Sequence, residues 1–373
     1  SLASVASADG HVKVTGLFQS IVGMGQDVNG GITEKFSRFG FAGETTTDNG
    51  WTVGGAMNLE LGNLAGGALS AYGPTNRYMY IQMDTATINV GDNVSITALL
   101  VPRIGAMGPG GGHDAGFQFL FDGGLVGSNG ISFAESYYAM SNSSITVQAA
   151  AINGFTVGGT YTPAMEMNSA DGISRAGGNG MAATNAARAH GETTAVAASY
   201  DMEAEGIAWN IGASMIVGNS FNTVNSLNRD DASNNELSSV VGAIRATMGN
   251  MVIGAHIYNN GDSFGNSTDA IKASDAGYTV AATYAMGNIS VGAGYAHQEM
   301  VRGTTAQAAA TTLADAAAGN VREDTITYLA VGYDLGGGVN TYVQLNAIDH
   351  SDGDHTTTEV DPTVLFAGIS LGF

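Results

Sequence analysis

The residues of this chain that could do chemistry are few, and most of them are fixed charges. Among 373 residues there are 12 Lys and Arg against 33 Asp and Glu, so each cation can be followed individually. Lys13, Lys35, Arg38, Arg77 and Arg245 fall in segments that read as strands. Arg103 lies with His113, Asp114 and Asp122 in a long Gly-rich stretch. Charges of this kind select ions and dipoles when they line an aqueous passage. No cysteine is present, which removes thiolate metal sites and a Cys nucleophile. His297 follows Tyr295 on an apolar face and His256 shares its face with Val252, Gly254 and Tyr258, but no motif joins a Ser to either. A Ser–His lipid hydrolase therefore has no signature behind it.

The elements that must position these groups are strands with a two-residue period. Leu365, Ala367, Ile369, Leu371 and Phe373 share one face of an extended segment, and Phe366, Gly368, Ser370 and Gly372 share the other. Ile207, Trp209, Ile211, Ala213, Met215 and Val217 alternate with Ala208, Asn210, Gly212 and Ser214. Segments beginning at Trp51, Ile289 and Val339 repeat the pattern, apolar on one side and small or polar on the other. Such strands suit a barrel with lipid outside and water inside.

The connections alternate between two kinds. Asp48-Asn49-Gly50, Asn153-Gly154, Glu203-Ala204-Glu205-Gly206, Gly249-Asn250, Gly287-Asn288 and Gly336-Gly337-Gly338 carry tight-turn chemistry. Long polar stretches lie between them, over 26–33, 63–75, 93–142, 164–193, 219–236, 261–275, 301–323 and 351–361. The pattern predicts an all-β, transmembrane, up-and-down antiparallel barrel of about 16 strands, short turns at the periplasmic rim and long loops outside, as a single domain over 1–373. Trp51 and Trp209 begin strands that leave short turns and, with Phe373, are expected in an aromatic girdle at the membrane interface.

A barrel of that width cannot be filled by side chains, so its interior is water and transport becomes the expected function. The longest loop, 93–142, is expected to fold into the lumen and narrow it. Its centre holds Pro102, Arg103, Pro109, Gly110-Gly111-Gly112, His113, Asp114 and Asp122. Arg38 shares its face with Gly40, Ala42 and Glu44. Arg245 shares its face with Val241, Ala243 and Thr247. A lipid-facing charge at mid-bilayer costs about 2–4 kcal/mol, which turns both arginines inward. The alternation around Arg77 allows either face.

Net charge is −21, which argues against a nucleic-acid partner, since phosphates would go unneutralised. It points to cation preference. Asp230-Asp231, Asp349 to Asp354, Glu359 and Asp361 could take Ca²⁺ through oxygen ligands or meet lipopolysaccharide phosphates through bridging cations, although no EF-hand or repeat motif is present. No other cofactor is indicated. Ala6-Ser7-Ala8 before Asp9 has the form of an export-signal cleavage site. An Ala-rich stretch within 301–323 is compatible with a short helix and with an adhesive or structural role.

Three segments carry a resemblance. Ser37-Arg38-Phe39-Gly40-Phe41-Ala42-Gly43-Glu44 resembles the second-strand signature of Gram-negative general porins, Asn76-Arg77-Tyr78-Met79-Tyr80 their fourth-strand signature, and Phe373 their terminal residue. The segment spacing is similar to that of alphaproteobacterial porins. The resemblance implies an outer-membrane homotrimer of sixteen-stranded barrels passing small hydrophilic solutes and ions. It also implies an eyelet between wall arginines, here Arg38 and Arg77, both inward, and acids of the third loop, here Asp114 and Asp122. Opposed charges of that kind create a transverse field that orients dipolar solutes. The family's Pro-Glu-Phe-Gly-Gly-Asp loop motif is absent, with Phe121-Asp122-Gly123-Gly124 a loose echo, and Asp92 stands after the fifth strand where a basic residue is common.

Overall fold

A computed structural model describes residues 11–25, 28–60, 73–112, 141–165, 188–222, 236–261, 263, 274–302, 320–352 and 363–373. These residues form sixteen antiparallel strands in one closed barrel, each strand paired with its neighbours in sequence. In chain order they are β1 (His11–Gly25), β2 (Val28–Thr46), β3 (Thr52–Glu60), β4 (Gly73–Gln82), β5 (Ala86–Val94), β6 (Ser141–Ala149), β7 (Phe155–Met165) and β8 (Arg188–Ala204). There follow β9 (Ile207–Asn222), β10 (Leu237–Met248), β11 (Met251–Gly261), β12 (Ser274–Met286), β13 (Ile289–Arg302), β14 (Asn320–Gly336), β15 (Val339–Asp352) and β16 (Thr363–Gly372). One short helix, α1 (Ile96–Leu100), follows β5.

The two-residue period sorts the wall into two faces. On β8, Val196 is 54 % exposed between buried Ala195 and Ala197, and on β14, Leu329 is 58 % exposed between buried Tyr328 and Ala330. Large apolar side chains thus form the outer surface, as a lipid-facing belt requires. The 17 residues of β8 and of β14 extend about 56 Å at ~3.3 Å each. That is more than a tilted strand needs to cross the ~25 Å apolar band, so these strands project beyond it.

The short turns follow from backbone chirality. Asn153 and Gly154 have φ of 51° and 83°, and Glu205 and Gly206 have 53° and 76°. Two consecutive positive φ values give the turn whose twist matches that of paired strands. The barrel closes where Leu17–Gly25 of β1 pairs with Val364–Gly372 of β16. Phe373 extends the seam: its N–H donates to the Gly16 carbonyl (3.0 Å) and its carbonyl accepts from the Gly16 N–H (2.8 Å). Its ring stacks on Phe18 at 6.3 Å over Gly16, where a Cβ would fall 2.3 Å from it.

Several boundaries differ from the sequence reading. The expected long loop at 26–33 is absent: β1 runs to Gly25, β2 starts at Val28, and Ile21 pairs with Thr33. Polar, Gly-rich composition marks loops only on average, whereas ladder hydrogen bonds come from the backbone and tolerate any side chain but Pro. Asp92 lies within β5, not after it, and is buried. Asp349 lies on β15. Of the stretch 301–323, read as a possible helix, 301–302 end β13 and 320–323 begin β14, and 303–319 lie outside the described residues.

Candidate functional site in the barrel lumen

The segment after β5 turns inward. Ser95 caps α1, its hydroxyl accepting from the Ala98 N–H. The Ile96 N–H donates to Thr160 Oγ1 on β7 (2.7 Å), and Thr97 Oγ1 and Ser214 Oγ on β9 lie 2.6 Å apart. Below them Thr146 donates to Asn93 (2.9 Å) and shares a hydrogen bond with Thr160 (2.8 Å). Ile96 and Leu100 are buried against Ala195, Ala197, Ile216 and Leu237. Val101 and Ile104 are buried against Val241, Ala243, Tyr258, Ala281 and Tyr328. Tyr328 Oη donates to the Met107 carbonyl (2.6 Å) and Gln344 Nε2 to the Gly112 carbonyl (2.7 Å). Residues 96–112 therefore follow the inner wall from β7 to β15. The described part of the third loop is inside the barrel, as the sequence led us to expect.

The burial of this loop explains a feature that alternation alone leaves odd. Lumen-phase positions of β10, β11, β12 and β14 carry Val241, Tyr258, Ala281 and Tyr328, which would be poor choices against water. They are dry because Val101 and Ile104 cover them. Pairs such as Val240-Val241 and Ala330-Val331, apolar on both faces, were the sequence signal for this seat. It was overlooked.

Of the site residues read from sequence, Arg245 on β10 is in phase with buried Ser239, Val241 and Ala243, while Val240 and Ile244 are exposed outward. It pairs with Asn210 on one side and Gly254 on the other. Since Ile104 packs over Gly254, Arg245 stands beside the loop. Arg38 on β2 is half-buried and lies between Leu17 of β1 and Glu60 of β3 in register. Its face-mate Glu44 accepts a hydrogen bond from Tyr80 of β4. Arg77 is exposed, opposite a register shift between Ala56 and Asn58, and is in phase with exposed Met79 and Ile81. Arg103 is an exposed loop residue. Asp114, Asp122 and His113 lie outside the described residues, as do Asp230, Asp231, Glu359 and Asp361.

Trp51 sits exposed in the turn between β2 and β3, its N–H donating to Thr47 Oγ1 (3.1 Å). Trp209 is near the start of β9 in phase with exposed Ile211 and Met215. Among the described residues no three carboxylates or histidines gather to hold a metal ion. His297 has the Tyr278 ring 5.4 Å away. His256 stacks on Tyr258 at 5.9 Å.

No helix of the described residues is long and apolar enough to cross a membrane, which leaves crossing to the strands. Outer-membrane expressed OmpT of Vibrio cholerae has a similar structure, with TM-score 0.61 and 16 % identity over 98 % of this chain and 99 % of that one. The anion-selective porin from Comamonas acidovorans gives 0.60 and 12 % over 98 % and 100 %, and a variant of Rh. blastica porin 0.54 and 15 % over 97 % and 100 %. At such identities the likeness concerns the fold alone. No curated protein sequence matches the chain. The model of the Gram-negative porin family matches residues 1–353. An inside-out strand period, a closed sixteen-stranded barrel and that match together make this chain a member of the Gram-negative porin family, an outer-membrane channel.

Proposed function

We propose that the barrel lets small hydrophilic solutes and ions diffuse passively, that it prefers cations, and that it works as a homotrimer. The observation that carries the reading is that the described part of the third loop, residues 96–112, lies against the inner wall of a closed barrel. Cation preference is supported by the charges on lumen-phase positions. Among the residues whose side chains are described, Glu44, Asp201, Glu203, Asp324 and Asp334 outnumber Lys13, Arg38 and Arg245 there, and the whole chain carries −21. A low-dielectric wall focuses the field of such charges into the passage. Arg38 and Arg77, which match the porin strand signatures, and Arg245, by its lumen phase, are assigned to the constriction wall, with Arg103, Asp114 and Asp122 on the loop side. A trimer is supported by a solved trimer form of OmpT of Vibrio cholerae, which shares the fold. The reading involves no catalytic step.

Purified protein in a planar bilayer tests it. Stepwise conductance, often in threes, is expected. In a KCl gradient the reversal potential should take the sign set by K⁺ flow. An anion-selective potential would remove the cation assignment, and a silent bilayer would remove the channel.

A further inference from the structure

We propose that a track of wall glycines is the element that sets the pore aperture, by fixing how far the third loop stands from the wall. The inference rests on the channel reading above. A Cβ placed on Gly158 of β7, Gly212 of β9 or Gly254 of β11 would lie 2.4 Å from Ile96 Cδ1, the Leu100 carbonyl oxygen or Ile104 Cδ1 respectively. On Gly292 of β13 it would lie 2.8 Å from Gly108 Cα, and on Gly332 of β14, 2.4 Å from Pro109 Cβ. Separations under about 3 Å are repulsive, so either loop or wall must move if these positions gain a side chain. Outward-phase glycines of the same wall differ. At Gly55, Gly159 and Gly242 the nearest atoms would be 3.4, 3.4 and 4.0 Å away, ordinary contact.

The five positions are not scattered. Gly158 pairs with Ala197, which pairs with Ser214, and the contact glycine of β9 is Gly212, two residues nearer the short turn. Gly212 leads through Ala243 to His256, and the contact glycine is Gly254. Gly254 leads through Ala281 to Gly294, and the contact glycine is Gly292. Each of these steps of two strands falls by two residues, and the last, from Gly292 through its partner Ala330 to Gly332, falls by two in a single strand. Strand tilt makes hydrogen-bonded rows climb around a barrel by a similar stagger, so a path that falls along them runs level around the lumen. The glycines form a horizontal recess one side chain deep, and the hydrogen bonds from Thr97, Tyr328 and Gln344 hold the loop in it.

Filling the recess should push the loop toward the barrel axis. The test compares the parent with Gly292→Ala, Gly332→Ala and Gly332→Val in planar bilayers, with Gly242→Ala as a wall control. The expected result is single-channel conductance reduced about twofold, with a smaller size limit for neutral polyethylene glycols, in the recess variants and not in Gly242→Ala. Should Gly332→Val fail to insert, the two alanine variants decide. Parent-like conductance and size limit in them would overturn the aperture assignment. A parent protein that opens no pores would overturn the channel reading itself, which is a separate result.

Discussion

At Tyr328 and Gln344 two side chains from the wall each hold one carbonyl of the loop, and both are buried. A single such hydrogen bond contributes about 1 kcal/mol, enough to change how often the loop leaves its seat by about a factor of five. Tyr328→Phe keeps the ring and its packing but frees the Met107 carbonyl, so open-channel current noise should rise while mean conductance stays close to the parent's. Unchanged noise would mean that the packing and the remaining hydrogen bonds hold the loop without it. Arg245 offers a charge test. Arg245→Gln removes one positive charge beside the loop, which should raise the K⁺ to Cl⁻ permeability ratio and move the reversal potential further toward the K⁺ limit, most strongly at low salt. The lumen-facing phase of Arg245 was legible because it sits in an unbroken alternation with Ser239 and Val241. Arg77 was not, since the shift between Ala56 and Asn58 interrupts the alternation opposite it. A bulge is a backbone event with no fixed residue signature.

The elements themselves read well where one physical cause acts. Turn positions with two positive φ values select Asn-Gly or a following Gly, so the hairpin at Asn153-Gly154 was visible in composition. Gly154→Val should be costly: φ is 83° and a Cβ there would sit 2.1 Å from the Asp201 carbonyl oxygen. Forcing a β-branched residue into that region costs on the order of 1–3 kcal/mol, and the variant barrel should unfold at lower temperature by heat-dependent gel mobility. Where two causes compete, the sequence was misleading. Residues 28–33 carry a polar Gly-rich composition but belong to β2, because backbone pairing with β1 holds them. The loop's seat was missed for a similar reason. A lumen position that is apolar looks like a fault in the period until another segment is known to cover it.

For the whole molecule, closure is the step that makes sixteen strands one object, since an open barrel would leave two unpaired edges in lipid. The seam was readable from the alternation of residues 364–373, while its register needed the pairing of Leu17 with Gly372. Phe373→Ala retains the two backbone hydrogen bonds to Gly16 but loses the ring over Phe18, a contribution of about 1 kcal/mol. A lower yield of folded barrel in detergent refolding is the expected outcome, with conductance of the folded fraction unchanged. The loop along the inner wall has a mechanical consequence as well. A cylinder one sheet thick bends readily into an oval under sideways pressure from the surrounding lipid. Among the described residues, the wall between β7 and β15 is doubled by a bonded inner liner, which stiffens that part of the circumference. Deformation under lateral load should concentrate in the opposite arc, where β1 to β4 carry Arg38, Glu44 and Tyr80.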